Sequence, residues 1–287
     1  MKDNIREDIL LILEMLNITQ DELAKKICVD KKTISFSENK KTQMTLSNIK
    51  KLYDYAFENN IHLNKIKSEL YIEENKSKNK ILFHGSKGGI NGDISSKVGR
   101  INNDFGQGFY TGESYEQSAS FVSMYDKAYI YILEFDSSNL KCAKFDVDTE
   151  WMLAIAYFRG TLNDYKVSKL IKKIIDKVKN ADYVLAPIAD NRMFKIIDTF
   201  IAGEITEEQC KHCLSATNLG YQYVFLNDKA IKNIKILEEC VVCDKEKDYY
   251  KSLKEDELKK SDEKVKVARI KYRGKGKYIE EILKWKK

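Results

Sequence analysis

The spacing of apolar residues changes near residue 80 and divides the chain into a helical part and a mixed part. Before this point, apolar residues recur every three to four positions, which predicts helices. Ile5, Ile9, Ile12 and Leu16 fall on one face of a first helix. Further helices are predicted over residues 20–27 and 31–37 and from residue 45 onward, with Thr19 and Thr45 as N-caps.

From residue 80, short apolar runs alternate with helical patterns, which indicates an α+β domain. Strands are predicted over 80–84, 106–111, 128–135, 183–187, 221–226 and 234–242. Helices are predicted over 113–125, 149–159, 164–178, 192–200 and 206–216. The predicted organisation is an all-α module over 1–62, a polar connection over 63–79, the mixed α+β domain over 80–243 and a charged helical tail over 244–287.

Composition limits the class of protein. The chain has 287 residues, of which 43% are hydrophobic, so it is long enough to bury a core and is not disordered throughout. No run of roughly 18 apolar residues occurs and no leader is recognised, which predicts a cytoplasmic protein without a membrane partner. The tail carries 16 Lys and Arg against 10 Asp and Glu. That excess fits either an arm for a polyanion or, given the interspersed acids, a solvated helix face.

Six cysteines include two C-x-x-C pairs, Cys210 with Cys213 and Cys240 with Cys243. Two such pairs are typical of a four-thiolate zinc site. However, the first pair falls in a helical pattern and the second at the end of a strand pattern, and neither contains the Gly or Pro of a metal-binding turn. The sequence therefore predicts buried, reduced thiols and no metal.

A helix-turn-helix pattern occupies the N-terminal module. Residues 19–38 combine Thr19-Gln20, Leu23-Ala24, Ile27, Val29 and Thr33-Ile34-Ser35, and this pattern resembles the lambda-repressor-like, Xre-type helix-turn-helix. The resemblance implies binding of double-stranded DNA, with the third helix in the major groove. Cys28 replaces the usual turn glycine, and Phe36 stands where a polar residue is common. The alternative is a dimerisation or partner-binding module. The residues implied to contact DNA are Lys31, Lys32, Thr33 and Ser35.

Two segments of the mixed domain suggest a nucleotide pocket, since glycines beside a histidine and a tyrosine let the backbone approach a flat ligand. Residues 82–86 read Leu-Phe-His-Gly-Ser, and residues 106–111 read Gly-Gln-Gly-Phe-Tyr-Thr. Together they resemble the ADP-ribosyltransferase fold of the diphtheria-toxin and PARP branch. The chain is also similar to bacterial proteins that join a helix-turn-helix to a PARP-like domain. In those proteins a set of motifs recurs that corresponds here to Asp104-Phe105-Gly106, Glu150-Trp151 with Arg159, Ala189-Asp190-x-Arg192 and Gln222-Tyr223.

This resemblance implies that the domain uses NAD as a substrate. The residues implied to hold NAD are His84, Gly85, Ser86, Phe109 and Tyr110, with Tyr110 stacked on the nicotinamide. The glutamate that usually completes such a site is Gln222 here, which supplies no charge. Asp190 and Arg192 are the first candidates to assist the reaction, and Glu150 is the second choice. The resemblance therefore leaves three outcomes open: transfer of a single ADP-ribose, slow NAD hydrolysis, or binding without turnover.

Three functions follow from these patterns. The first is a mono-ADP-ribosyltransferase that modifies a protein or nucleic-acid acceptor, as a toxin or a phage-defence effector. The second is a DNA-binding regulator whose PARP-like domain senses NAD. The third is a non-catalytic interaction module. A simple hydrogen-bonding role for His84, a half-buried strand position for Tyr110 and a helix cap at Asp190 are the structural alternatives, and a homodimer is left open.

Overall fold

The computed structural model describes residues 5–39, 43–162, 168–216 and 220–283. The chain divides into two compact units, and each unit is assembled from three segments. The first unit consists of Met1–Ile90, Ser114–Glu134 and Ile236–Leu253, and the second consists of Asn91–Glu113, Phe135–Lys235 and Lys254–Lys287. Both units combine helices and strands, so the α+β prediction is confirmed at this level.

The N-terminal helices of the first unit begin where the predicted caps lie. Thr19 forms a capping box with Glu22, and Asp30 and Thr45 each accept a hydrogen bond from a backbone N–H in the first turn of the following helix. Apolar faces of these helices form a core that includes Ile9 and Leu23. The helices are α1 (Ile5–Leu16), α2 (Gln20–Lys26), α3 (Lys31–Glu38), α4 (Leu46–Glu58) and α5 (Leu63–Glu74).

Helix α5 lies in the segment for which the sequence predicts a polar connection. Two polar residues of α5, the buried Asn64 and the half-buried Lys67, have polar partners within the first unit. The Asn64 amide donates to the carbonyl of Val241 and to Glu246, both at 2.9 Å. The Lys67 ammonium donates to Asp8 at 2.7 Å. The polar residues of this segment therefore form hydrogen bonds inside the first unit, and the segment is a helix instead of a solvent-exposed linker.

The remainder of the first unit contains strands β1 (Lys80–Ser86), β3 (Tyr129–Phe135) and β7 (Ile234–Val241), which neighbour one another in the order β1-β3-β7. Helix α6 (Tyr115–Val122) begins at Ser114, which forms a capping box with Gln117. A second core includes Phe83, Tyr115 and Ile130. Helix α6 is shorter than the helix that the sequence predicts over 113–125.

The second unit holds a mixed sheet of four strands in the order β4-β5-β6-β2. Strands β4 (Cys142–Lys144) and β5 (Tyr183–Pro187) are parallel, whereas β6 (Tyr221–Phe225) pairs antiparallel with both β5 and β2 (Phe109–Gly112). The register places Gln222 opposite Gly112 on one side and Ala186 on the other. The helices of this unit are α7 (Thr149–Arg159), α8 (Lys169–Lys179), α9 (Asn191–Ile201), α10 (Glu207–Ser215), α11 (Asp228–Ile231) and α13 (Ile279–Leu283).

Several predicted elements differ from the observed ones at their ends. The strand predicted from residue 106 begins only at Phe109. Gly106 has a φ of +78°, which is outside the extended region, so it does not belong to the strand. The start of the helix predicted over 164–178 lies outside the described residues. Strand β4 has three residues, too few to give a pattern. The charged tail forms helix α12 (Asp244–Lys271). Among the helices of the described ranges, none has the length and apolarity needed to cross a membrane.

Candidate functional site

Helices α2 and α3 and the turn between them form a helix-turn-helix in the first unit. The turn requires a left-handed backbone at Cys28, whose φ is +54°, which explains why glycine is usual there. The Asp30 carboxylate accepts a hydrogen bond from the backbone N–H of Lys32 at 2.7 Å and fixes the start of α3. The turn is therefore closed locally in spite of the cysteine.

The four predicted DNA-contact residues lie in the first five positions of α3. Lys31 and Lys32 are exposed, and Thr33 and Ser35 are half-buried, while Ile34 faces the core. The Lys31 ammonium lies 3.7 Å from the Asp21 carboxylate, an exposed pair that contributes little to stability. The N-terminal turn of α3 thus offers two cations and two hydroxyl groups.

The second unit contains a buried polar cluster whose hydrogen bonds converge on Asp104. We call Asp104, Arg159, Pro187, Ala189 and Gln222 the Asp104 cluster. The Asp104 carboxylate accepts hydrogen bonds from Arg159 Nε at 2.8 Å, from Gln222 Nε2 at 2.8 Å and from the backbone N–H of Ala189 at 3.2 Å. Asp104 is 5% exposed, so the Arg159 guanidinium and these N–H donors stabilise a carboxylate that is largely shielded from water.

Gln222 lies on β6 and is fully engaged in this cluster through its amide nitrogen. Nε2 donates to Asp104 and also to the carbonyl of Pro187 at 3.1 Å. The indole of Trp151 donates to the same carbonyl at 3.3 Å. Since an amide side chain neither accepts nor releases a proton at neutral pH, and both of its N–H groups are used, the arrangement gives Gln222 a structural role.

Tyr110, in strand β2, forms hydrogen bonds with the loop that carries Asp104. Its hydroxyl accepts a hydrogen bond from the backbone N–H of Phe105 at 3.1 Å and donates to the carbonyl of Gly106 at 2.7 Å. Its ring packs against the core of the second unit, and burial raises the pKa of the phenol far above its usual value. Phe109 is buried next to Phe225, with ring centroids 6.3 Å apart.

The candidates for assisting residues have partners of their own in the second unit. Asp190 is the N-cap of α9 and accepts from the backbone N–H groups of Arg192 and Met193 at 3.0 and 2.7 Å. The Arg192 guanidinium hydrogen-bonds to Ser261 and lies 2.8 Å from the Asp262 carboxylate. Glu150 likewise pairs with Lys177 at 2.8 Å. Each of these residues has a clear structural role.

His84, Gly85 and Ser86 end strand β1 in the first unit. A side chain at Gly85 would place its Cβ 2.7 Å from Val122 Cγ1, so close packing against α6 requires glycine at this position. Beside it, Phe121 is 52% exposed. The His84 ring lies 6.3 Å from the Tyr131 ring, measured between centroids, and the Ser86 hydroxyl donates to the carbonyl of Gly89 at 3.1 Å.

The predicted NAD residues therefore divide between the two units, with His84, Gly85 and Ser86 in the first and Phe109, Tyr110 and Gln222 in the second. The sequence does not mark Asp104 and Arg159 as site residues, although they form the ion pair of the Asp104 cluster. Their only sequence signal is membership of the recurring set of motifs. The exposed Phe121 is not among the residues that the resemblance implies to hold NAD.

The cysteine pairs lie in separate units. Cys210 and Cys213 are buried in α10, and Cys240 and Cys243 are buried at the end of β7 and beyond it. Burial raises the pKa of Cys210 and Cys240, so these thiols are held in the unreactive protonated form. Over the described ranges, no group of three His, Cys, Asp or Glu residues is placed to hold a metal ion.

Two family models match the chain. Residues 80–236 match the family described as "Protein of unknown function (DUF3990)", and residues 9–54 match the model described as "Helix-turn-helix". No curated protein and no solved structure matches the chain. The helix-turn-helix prediction is confirmed by both the match and the geometry of α2 and α3. Neither description names ADP-ribosyl transfer or NAD, so those parts of the resemblance stay predictions.

Proposed function

Because this chain belongs to the DUF3990 family and carries a helix-turn-helix ahead of that region, we propose that it is a DNA-binding regulator. The observation that carries the proposal is the capped N-terminal turn of α3, which presents Lys31 and Lys32 to solvent. The DUF3990 region is then the regulatory part, and we propose that it binds NAD without using Gln222 for chemistry.

The dimensions and charge of α3 suit duplex DNA. An α-helix with its side chains is about 10 to 12 Å in diameter, which fits a major groove about 12 Å wide, and the eight residues of α3 extend about 12 Å along it. Lysines at the start of such a helix reach phosphates, and the hydroxyl groups of Thr33 and Ser35 reach either phosphates or base edges. The lysines thus supply affinity, and the groups deeper in the groove supply sequence preference.

Salt dependence of duplex binding tests this proposal. Fluorescence anisotropy measures the affinity for a labelled random-sequence duplex between 50 and about 200 mM salt, and each lysine that contacts a phosphate adds about 0.9 to the slope of log K against log salt. K31A/K32A is expected to lower the slope by nearly 2. K76A/K78A removes two exposed lysines outside the helix-turn-helix and is expected to leave it unchanged. Absence of duplex binding at low salt contradicts the proposal.

The first unit supports the NAD part of the proposal at the end of β1. The exposed ring of Phe121 lies beside Gly85, whose missing side chain leaves room for α6, and His84 precedes Gly85 in the strand. A flat heteroaromatic ring stacks on the exposed ring of Phe121, and the imidazole of His84 is a hydrogen-bonding group at the same end of β1. The hydrogen bonds of Gln222 argue for binding without turnover, since its amide is committed to the Asp104 cluster.

Calorimetric titration with NAD and a nicotinamide-release assay test this second part. We expect binding that weakens at least tenfold in H84A and F121A and stays unchanged in H212A, which removes a histidine from α10. Nicotinamide release is expected to stay at the background rate. Transfer of label from NAD to a macromolecule, lost in Y110F, contradicts binding without turnover and favours the transferase. Unchanged binding in H84A and F121A contradicts the assignment of the site.

A further inference from the structure

The outward face of α3 carries a large apolar side chain, that of Phe36. Phe36 is 39% exposed, although it lies in a helix whose core-facing residue, Ile34, is completely buried. Lys32, Phe36 and Asn39 are spaced by four and three positions, so they follow one another along the exposed side of the helix. The exposed ring is therefore flanked by polar residues of the surface proposed to enter the groove.

We propose that Phe36 is a specificity-determining residue that contacts the C5-methyl group of a thymine in the major groove; this rests on the proposed DNA-binding function. Among the bases, only thymine presents an apolar group in that groove, and apolar side chains are its natural partners. Lys31 and Lys32 start the same helix, so the surface around the ring is complementary to a polyanion rather than to an apolar protein face.

The position of Phe36 within α3 agrees with this contact. It lies one turn beyond Lys32 on the same side of α3, so both side chains face the groove when α3 lies in it. A polar residue at this place discriminates bases through hydrogen bonds, whereas a phenyl ring offers none. A phenylalanine at this place therefore favours thymine, because its ring can contact the thymine methyl group and offers the other bases no hydrogen bond.

The test removes the methyl group from the DNA and the ring from the protein in combination. The probe is a 20-bp duplex selected by the wild-type protein from a randomised library, in which each thymine is replaced singly by deoxyuridine. One buried methyl group corresponds to about 0.8 kcal/mol, so we expect one replacement to weaken wild-type binding about fourfold. F36A is expected to bind the parent duplex more weakly and to be insensitive to that replacement. L70A, which removes an exposed apolar side chain of α5 outside the helix-turn-helix, keeps the sensitivity.

Each result decides a separate question. If no duplex is selected, the DNA-binding function fails. If a duplex is selected but no thymine shows a methyl effect that depends on Phe36, the function stands and this inference is wrong. Sedimentation in the absence of DNA identifies the competing case, because a Phe36 that joins two copies of the chain shifts the oligomeric state in F36A. F36L, which keeps an apolar group, retains the methyl effect and serves as a second variant if F36A does not fold.

Discussion

Replacing Gln222 by glutamate restores the residue type that ADP-ribosyltransferases of the resembled branch use, but the structure predicts a destabilised protein instead of an active one. In the wild type, the Gln222 amide donates to the Asp104 carboxylate at 2.8 Å, and both residues are 5% exposed. A glutamate at this position places a second carboxylate against the first. The Arg159 guanidinium compensates only one of the two charges.

The magnitude follows from the distance and from proton uptake. Two carboxylates about 2.8 Å apart repel by about 6 kcal/mol at an effective dielectric constant near 20. The folded protein avoids this repulsion by binding a proton on the new glutamate. The loss of unfolding free energy is therefore limited by the difference between the solution pH and the glutamate's unfolded pKa of about 4.3. At 1.36 kcal/mol per unit, the destabilisation is about 3 to 4 kcal/mol at pH 7. The raised folded pKa means that stability is present near pH 4 and is lost as pH rises.

Urea unfolding between pH 5 and 8, followed by the emission of the buried Trp151 in the same unit, measures this slope. We expect Q222E to lose about 1.4 kcal/mol per pH unit relative to wild type between pH 5 and 7. The control Q222M removes the same hydrogen bonds without adding charge, and its cost of about 1 to 3 kcal/mol is expected to be independent of pH. Equal, pH-independent losses in Q222E and Q222M refute the reasoning, and so does ADP-ribosyl transfer gained by Q222E.

Three further predictions concern the first unit, each measured by denaturant unfolding. Burial raises the pKa of Glu246 from 4.5 to about 7, so the folded state keeps a proton that the unfolded state releases. The free energy of unfolding therefore falls by about 3 kcal/mol as pH rises from 4.5 through 7. E246Q is expected to remove that fall. Cys28→Gly is expected to stabilise by about 1 kcal/mol, because glycine adopts the left-handed φ of +54° without strain, and a loss of stability contradicts this. Gly85→Ala is expected to lower the free energy of unfolding by about 1 to 3 kcal/mol, since its Cβ would lie 2.7 Å from Val122 Cγ1. In the control G88A the new Cβ has no atom within 4 Å, so the expected loss is less than about 0.5 kcal/mol.

The elements that the sequence predicted best are those with local signals. Helix α7 and strand β5 have the predicted ends, and α2 begins at the predicted cap Thr19. These signals involve residues within one turn or one alternation of each other. Helix α5 was not predicted because the partners that accommodate its polar residues are distant in sequence; Asn64 and Glu246 are separated by 182 positions.

The candidate sites show the same division. The helix-turn-helix was recognisable because its caps, turn and apolar positions lie within twenty residues, and the structure confirms it. The role of Gln222 was not recognisable. Its partner Asp104 lies 118 positions away and is itself paired with Arg159, 55 positions from it. A sequence pattern cannot show that an amide has both N–H groups occupied.

What the sequence determined by itself is the succession of elements, because caps and apolar spacing act within a few residues. It also determined the presence of a DNA-binding type of motif and the glycines that flank His84 and Tyr110. Only the tertiary structure decided what those glycines and polar residues do. Gly85 makes room for α6, Tyr110 holds a loop, and Gln222 satisfies a buried carboxylate. The reason is physical: burial and pairing depend on neighbours that folding brings together from remote parts of the chain.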